Sequence, residues 1–153
     1  MKGLTHILFG MGFVSIFLYF FKVPFVLWFL GVFLVSPFFS RLPDKDQTIA
    51  RVTFNQIDPH RGKFSHNLLI GLPLILIFFI INMTIFETIL IFLIGSIFGA
   101  LFAHTFVDSF NYAGVYIMGI KIKGFLKWDS FWGNLIFRIL GGFLVLIPIS
   151  QFI

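Results

Sequence analysis

Apolar residues fall into five long blocks, Leu4 to Phe21, Val23 to Ser40, Asn67 to Thr84, Glu87 to Phe106 and Phe131 to Phe152. Each is close to the 17–25 residues that an α-helix needs to cross hydrocarbon. Only Lys22 and Pro24 separate the first two blocks, and only Asn82, Thr84 and Glu87 interrupt the next two. Both pairs therefore predict tight helical hairpins. A single helix over residues 67–106 would run about 60 Å, twice the bilayer core, so this stretch must fold back on itself. The pattern predicts an all-α fold: a polytopic integral membrane helical bundle of about five transmembrane helices, forming one membrane domain over residues 1–153. Lys2 is followed by a long apolar run containing His6, with no small-residue cleavage site at its end, unlike a cleaved signal peptide.

Two polar segments remain, residues 41–66 and 107–130. Five crossings put the N-terminus and both segments on one side. That side carries Lys2, Arg41, Lys45, Arg51, Arg61, Lys63, Lys121, Lys123 and Lys127, against Lys22 alone on the other. Positively charged loops stay inside, so the N-terminus and both polar loops are expected to be cytoplasmic, in the cell (plasma or inner) membrane. Arg138 lies within the last block, where a central charge costs roughly 2.5–3.5 kcal/mol. It should snorkel to the inner surface or pair with a buried carboxylate.

Composition agrees. The chain is 59% hydrophobic and 11% charged, whereas a soluble domain has about 45–50% apolar and 25% charged residues. A water-soluble globule and a disordered chain are both excluded. The absence of cysteine excludes disulfides, thiolate metal sites and a cysteine nucleophile. The net charge of +5 is read as membrane orientation, and no nucleic-acid partner is predicted. Membrane lipids are the expected partners, with other membrane proteins or further copies of the chain also compatible.

The histidines and acids are distributed unevenly. His6, His60, His66 and His104 all fall at the expected cytoplasmic end, as do Asp44, Asp46, Asp58, Asp108 and Asp129; Glu87 stands alone on the opposite rim. These are ligand types for divalent metals. His104 and Asp108 are four apart at a helix end, which puts both on one face about a turn apart. Asp44 and Asp46 are two apart, so in an extended segment their carboxylates point the same way and can hold or bridge an ion. His60 and His66 flank Arg61, whose guanidinium fork suits phosphate oxygens. Each pattern has an ordinary reading too: solvated loop aspartates paired with Arg and Lys, an interfacial His6, and a helix-terminal His104–Asp108 pair. Trp28, Trp128 and Trp132 fit interfacial anchoring.

Four stretches carry a resemblance: Thr5-His6-Ile-Leu-Phe-Gly10, Leu42-Pro43-Asp44-Lys45-Asp46, His60-Arg61-Gly62 with Ser65-His66-Asn67, and His104-Thr-Phe-Val-Asp108 through Gly114-Val115. In this order they resemble the YdjM-like family of predicted membrane-bound metal-dependent hydrolases, in its short archaeal-type branch. That family is remotely similar to the zinc-dependent phospholipase C and single-strand nuclease group, whose helical sites hold several zinc ions and cleave phosphoesters. The resemblance implies a divalent metal centre, zinc above all, with one to three ions on His6, Asp44, Asp46, His60, His66, His104 and Asp108. It implies catalytic roles for Arg61 and Asp46. The chain departs from the family pattern at several positions: Asn67 stands where Ser is usual, Asn111 and Tyr112 stand where Thr and Pro are common, and Phe137 precedes Arg138 where a Glu is frequent.

The leading functional reading is therefore a membrane-embedded metal-dependent hydrolase acting on a phosphoester of a lipid or other amphiphile at the cytoplasmic interface. The alternative is a non-catalytic small subunit or scaffold of a larger membrane complex. A transporter is disfavoured because, Arg138 apart, the middles of the helices lack the ionisable residues that line pathways.

Overall fold

The computed structural model describes residues 3–45, 66–77, 85–118, 120–127 and 129–152. Helix α1 spans Gly3–Phe20. The second span is built from α2 (Phe25–Leu30), a π-helical turn (Gly31–Val35) and α3 (Ser36–Phe39), and it passes into a 3₁₀ turn over Pro43–Lys45. A 3₁₀ turn (Leu68–Gly71) leads into α4 (Leu72–Ile77). Helix α5 runs Ile85–Ser109 and α6 runs Phe131–Phe152. Among the described residues four helices are long and apolar enough to cross a membrane, Gly3–Phe20, Phe25–Lys45, Glu87–Ser109 and Phe131–Phe152. The remaining expected crossing, Asn67 to Thr84, is described only as far as Ile77.

The first hairpin closes by local backbone chemistry. The Val23 N–H donates to the Leu18 carbonyl (3.0 Å) and the Lys22 N–H to that of Tyr19 (2.9 Å), with Lys22 left-handed at φ 52°. This is a Schellman closure, and Pro24 then prevents α1 from continuing. The turn folds α2 back so that Trp28 is only 1% exposed and its Nε1 donates to the Ser15 carbonyl at 3.1 Å. The interfacial anchoring expected for Trp28 is thus corrected: its ring belongs to a core with Val14, Leu18, Val32, Ile91 and Val145. Trp132 is 70% exposed, and Trp128 lies outside the described residues.

Helices α1 and α6 meet backbone to backbone. A Cβ on Gly12 would strike the Gly141 backbone, and one on Gly141 would strike that of Leu8 and Phe9. Small residues allow such close approach where lipid removes the hydrophobic incentive to pack. A second core, Phe9, Ala103, Val107 and Phe137, lies nearer the start of α1 and the end of α5.

Within the polar segment 107–130 the chain adds an antiparallel hairpin, β1 (Val115–Ile117) and β2 (Ile120–Ile122), in the register Val115↔Ile122, Tyr116↔Lys121 and Ile117↔Ile120. Val115 is buried, whereas all of β2 is exposed. Gly114, at φ +71°, enters the hairpin packed against the Ile122 carbonyl, a position with no room for a side chain.

Candidate metal centre

Four chain segments deliver five side chains to one end of the bundle. His6 comes from the first turns of α1, Asp44 from the 3₁₀ turn after α3, His66 from the residue before the Asn67 cap, and His104 and Asp108 from the last two turns of α5. His6, His66, His104 and Asp108 are fully buried, and the Asp44 side chain is 39% exposed.

The donor atoms converge. His66 Nε2 lies 3.3 Å from Asp108 Oδ2 and 3.9 Å from Asp44 Oδ1; His104 Nε2 lies 3.5 Å and 3.6 Å from the same two oxygens. One ligand atom from each of Asp44, His66, His104 and Asp108 lies within 4.8 Å of all the others. Good hydrogen bonds to nitrogen span about 2.7–3.2 Å, so these spacings are long for direct bonding. Four N and O ligands held tetrahedrally at about 2.0–2.2 Å would be about 3.3–3.6 Å apart, which three of the four distances match. Burying the Asp108 carboxylate is costly unless its charge is balanced, and a divalent cation shared with the partly exposed Asp44 would balance it. The group could therefore hold a metal ion.

His6 belongs to the same assembly. Its Nε2 is 3.5 Å from Asp108 Oδ1, and its ring stacks on His104 with centroids 3.9 Å apart. Asp108 thus turns one oxygen to His66 and His104 and the other to His6.

The surroundings fix these rings. His104 Nδ1 is 2.6 Å from the Ser40 carbonyl. A carbonyl only accepts, so Nδ1 carries the proton, and in the neutral ring the Nε2 lone pair faces the cluster, an arrangement common in metal-binding histidines. Ser40 is brought there by the π-helical turn and by Gly10, where a Cβ would collide with the Ser40 hydroxyl. The His66 carbonyl accepts from the Tyr116 N–H at 2.8 Å, so β1 holds His66 from behind. Asn67 Oδ1 accepts from the Leu69 N–H at 3.0 Å as an N-cap, a task that Ser performs equally well. The departure from Ser at this position therefore preserves its local chemistry.

Beside His6, Thr5 donates to Asn134 Oδ1 at 2.6 Å and accepts from Arg138 Nε at 3.1 Å. Arg138 thus meets a hydroxyl, where a carboxylate partner had been one expectation. Phe137, on the adjoining face, packs edge-on to Phe9 at 5.4 Å.

Of the expected site residues, the structure brings His6, Asp44, His66, His104 and Asp108 together. Asp46, His60 and Arg61 lie outside the described residues, as does Asp58. Of the supporting groups, Thr5 heads the first resembling stretch, whereas no motif marks Ser40, Asn134 or Tyr116. Asn134 leaves a trace only as a polar residue inside an apolar block.

No curated protein and no solved structure matches the chain. The family model described as YdjM inner membrane protein matches residues 1–146. With its apolar spans and with the four resembling stretches inside that match, the chain belongs to the YdjM inner membrane protein family.

Proposed function

We propose that this membrane protein is a metal-dependent hydrolase acting on a phosphoester of a lipid or other amphiphile at the cytoplasmic surface. The observation that carries the reading is the convergence of His66, His104, Asp44 and Asp108 donor atoms at coordination-edge spacings, with His6 against the second oxygen of Asp108. Zinc suits a cysteine-free set of imidazole and carboxylate ligands, and when bound it supplies Lewis acidity and lowers the pKa of water to about 7.

The chain's own groups supply position and shielding. Ser40 sets the His104 tautomer, β1 holds His66, and the Phe9, Ala103, Val107 and Phe137 core keeps water from the inner side. Asp44, the one partly exposed member, marks the side from which substrate enters. The resemblance assigns further ligands to Asp46 and His60, and places Arg61 against a phosphoryl oxygen, where its fork would stabilise developing charge. The excess of Lys and Arg on the polar segments supports a cytoplasmic position for this end.

Elemental analysis of the purified protein tests the metal: stoichiometric zinc is expected in the wild type and its loss in His104→Ala and Asp108→Ala. Wild-type protein without stoichiometric metal would overturn the reading. Hydrolysis of a phosphoester lipid, abolished in Asp46→Ala and Arg61→Ala, tests catalysis. The rival reading, a non-catalytic subunit, is favoured by Phe137 at a position where the family often has a carboxylate. It predicts retained metal and stable partners with no turnover.

A further inference from the structure

Four of the five clustered residues are sealed from solvent, so access to the centre is decided by what surrounds Asp44. Arg41 precedes Asp44 by three residues and Lys45 follows it directly; both are exposed. They form one wall of a cleft of about 340 Å³ between α1 and the end of the second span, whose other lining residues are Ile7, Pro37, Phe38 and Leu42. Phe38 is 66% exposed and Leu42 41% exposed on this side. The cleft is thus apolar along the helices and cationic where it reaches the metal-ligand end. Among the described residues no carboxylate forms an ion pair with Arg41 or Lys45; the Asp44 carboxylate between them is turned to His66 and His104.

We propose that this cleft is the binding site for an anionic phospholipid of the inner leaflet. Arg41 and Lys45 take the headgroup phosphate, and one acyl chain lies against Ile7, Pro37, Phe38 and Leu42. Two features argue for a lipid over a soluble anion. The cations stand at the polar end of a membrane-spanning helix, the depth at which phosphates of the leaflet lie and basic groups between helices bind headgroups. The wall below them is hydrocarbon-like, which a free phosphate would not use. The site adjoins Asp44, so the proposal deepens the hydrolase reading: it names an anionic phospholipid as the class of molecule presented to the centre, arriving sideways from the bilayer.

The test is lipid retention, read separately from turnover. Full-length protein is placed in nanodiscs containing equal phosphatidylglycerol and phosphatidylcholine, released, and its bound lipids are quantified by native mass spectrometry. The wild type is expected to retain phosphatidylglycerol at least several-fold over phosphatidylcholine. Arg41→Gln with Lys45→Gln should abolish that preference while keeping metal stoichiometry and melting temperature. Asp108→Asn, which removes a proposed metal ligand, should retain the preference, and this separates failure of the lipid site from failure of the hydrolase reading. Millimolar inorganic phosphate should not displace the lipid; displacement would mean that the site takes a free anion. No headgroup preference in the wild type, or an undiminished preference in the double variant, overturns the proposal. Preference lost in Asp108→Asn but kept in the double variant also overturns it, because the headgroup would then be held at the cluster.

Discussion

Asp108 is a carboxylate that faces three imidazoles, so metal binding should be sensitive to its charge. Asp108 lies 3.3 Å from His66, 3.5 Å from His104 and 3.5 Å from His6. Asp108→Asn keeps its shape and removes the charge, so metal occupancy should collapse, as measured by elemental analysis after dialysis. The loss should exceed the roughly 10–100-fold that removal of an outer-shell partner costs. Asn67 offers a contrasting case. Asn67→Ser should be close to neutral, whereas Asn67→Ala should cost about 0.5–2 kcal/mol, because Leu69 loses its cap. Thermal unfolding in one detergent distinguishes the two, and equal melting temperatures would contradict the capping role. The His104–Asp108 pair was legible from its spacing alone, since i and i+4 share a helix face. The role of Ser40 was not, because it acts through its backbone carbonyl, which every residue possesses.

Helices here are held by close approach as much as by side-chain burial. Gly12→Ala would force its Cβ into the Gly141 backbone, separating α1 from α6, and should destabilise by about 1–3 kcal/mol. Gly142 provides the control: nothing lies within 4 Å of its hypothetical Cβ. Gly142→Ala should therefore be neutral or stabilising by about 0.5–1 kcal/mol through its helix propensity. The reverse order of effects would mean that α1 and α6 do not pack as described. At the hairpin, Gly114→Ala should weaken metal binding without touching a ligand, since distorting β1 loosens the Tyr116 grip on the His66 carbonyl. Four of the five apolar blocks coincide with the long apolar helices among the described residues, their boundaries shifted by only a few residues; α5 continues to Ser109 and so carries Asp108 on regular helix. The β-hairpin escaped because three-residue strands are too short for a period-two signal to emerge. Trp28 escaped because an aromatic near a span end reads the same whether it faces headgroups or a neighbouring helix.

For the whole molecule, a centre that ties α1, α3, α5 and the chain before α4 together should make stability depend on metal. A chelator should lower the melting temperature of the wild type, while Asp108→Asn should melt at the same temperature with or without it. Ligand linkage supplies about 2.7 kcal/mol when free metal stands at a hundred times its dissociation constant. Absence of any chelator effect on the wild type would mean that the cluster is not a bound-metal site. The path of the chain accounts for this coupling. Helix α5 carries Asp108 about 35 Å from Ile85 at 1.5 Å per residue, while His66 sits against Asp108, so ligands far apart along the chain are side by side at the cluster. The sequence by itself determined that this protein lives in a membrane and where its long helices lie, because length and apolarity are properties of contiguous residues and hydrocarbon tolerates little else. It also marked the ligand-type residues. Only the tertiary structure decided that His6, Asp44, His66, His104 and Asp108 meet at one place, because convergence depends on how far the chain has turned between distant segments, through the Lys22 closure, the π-helical turn and the glycine contacts of α1 with α6. No local pattern records those rotations, and one extra residue in any of them would point an imidazole away from the others.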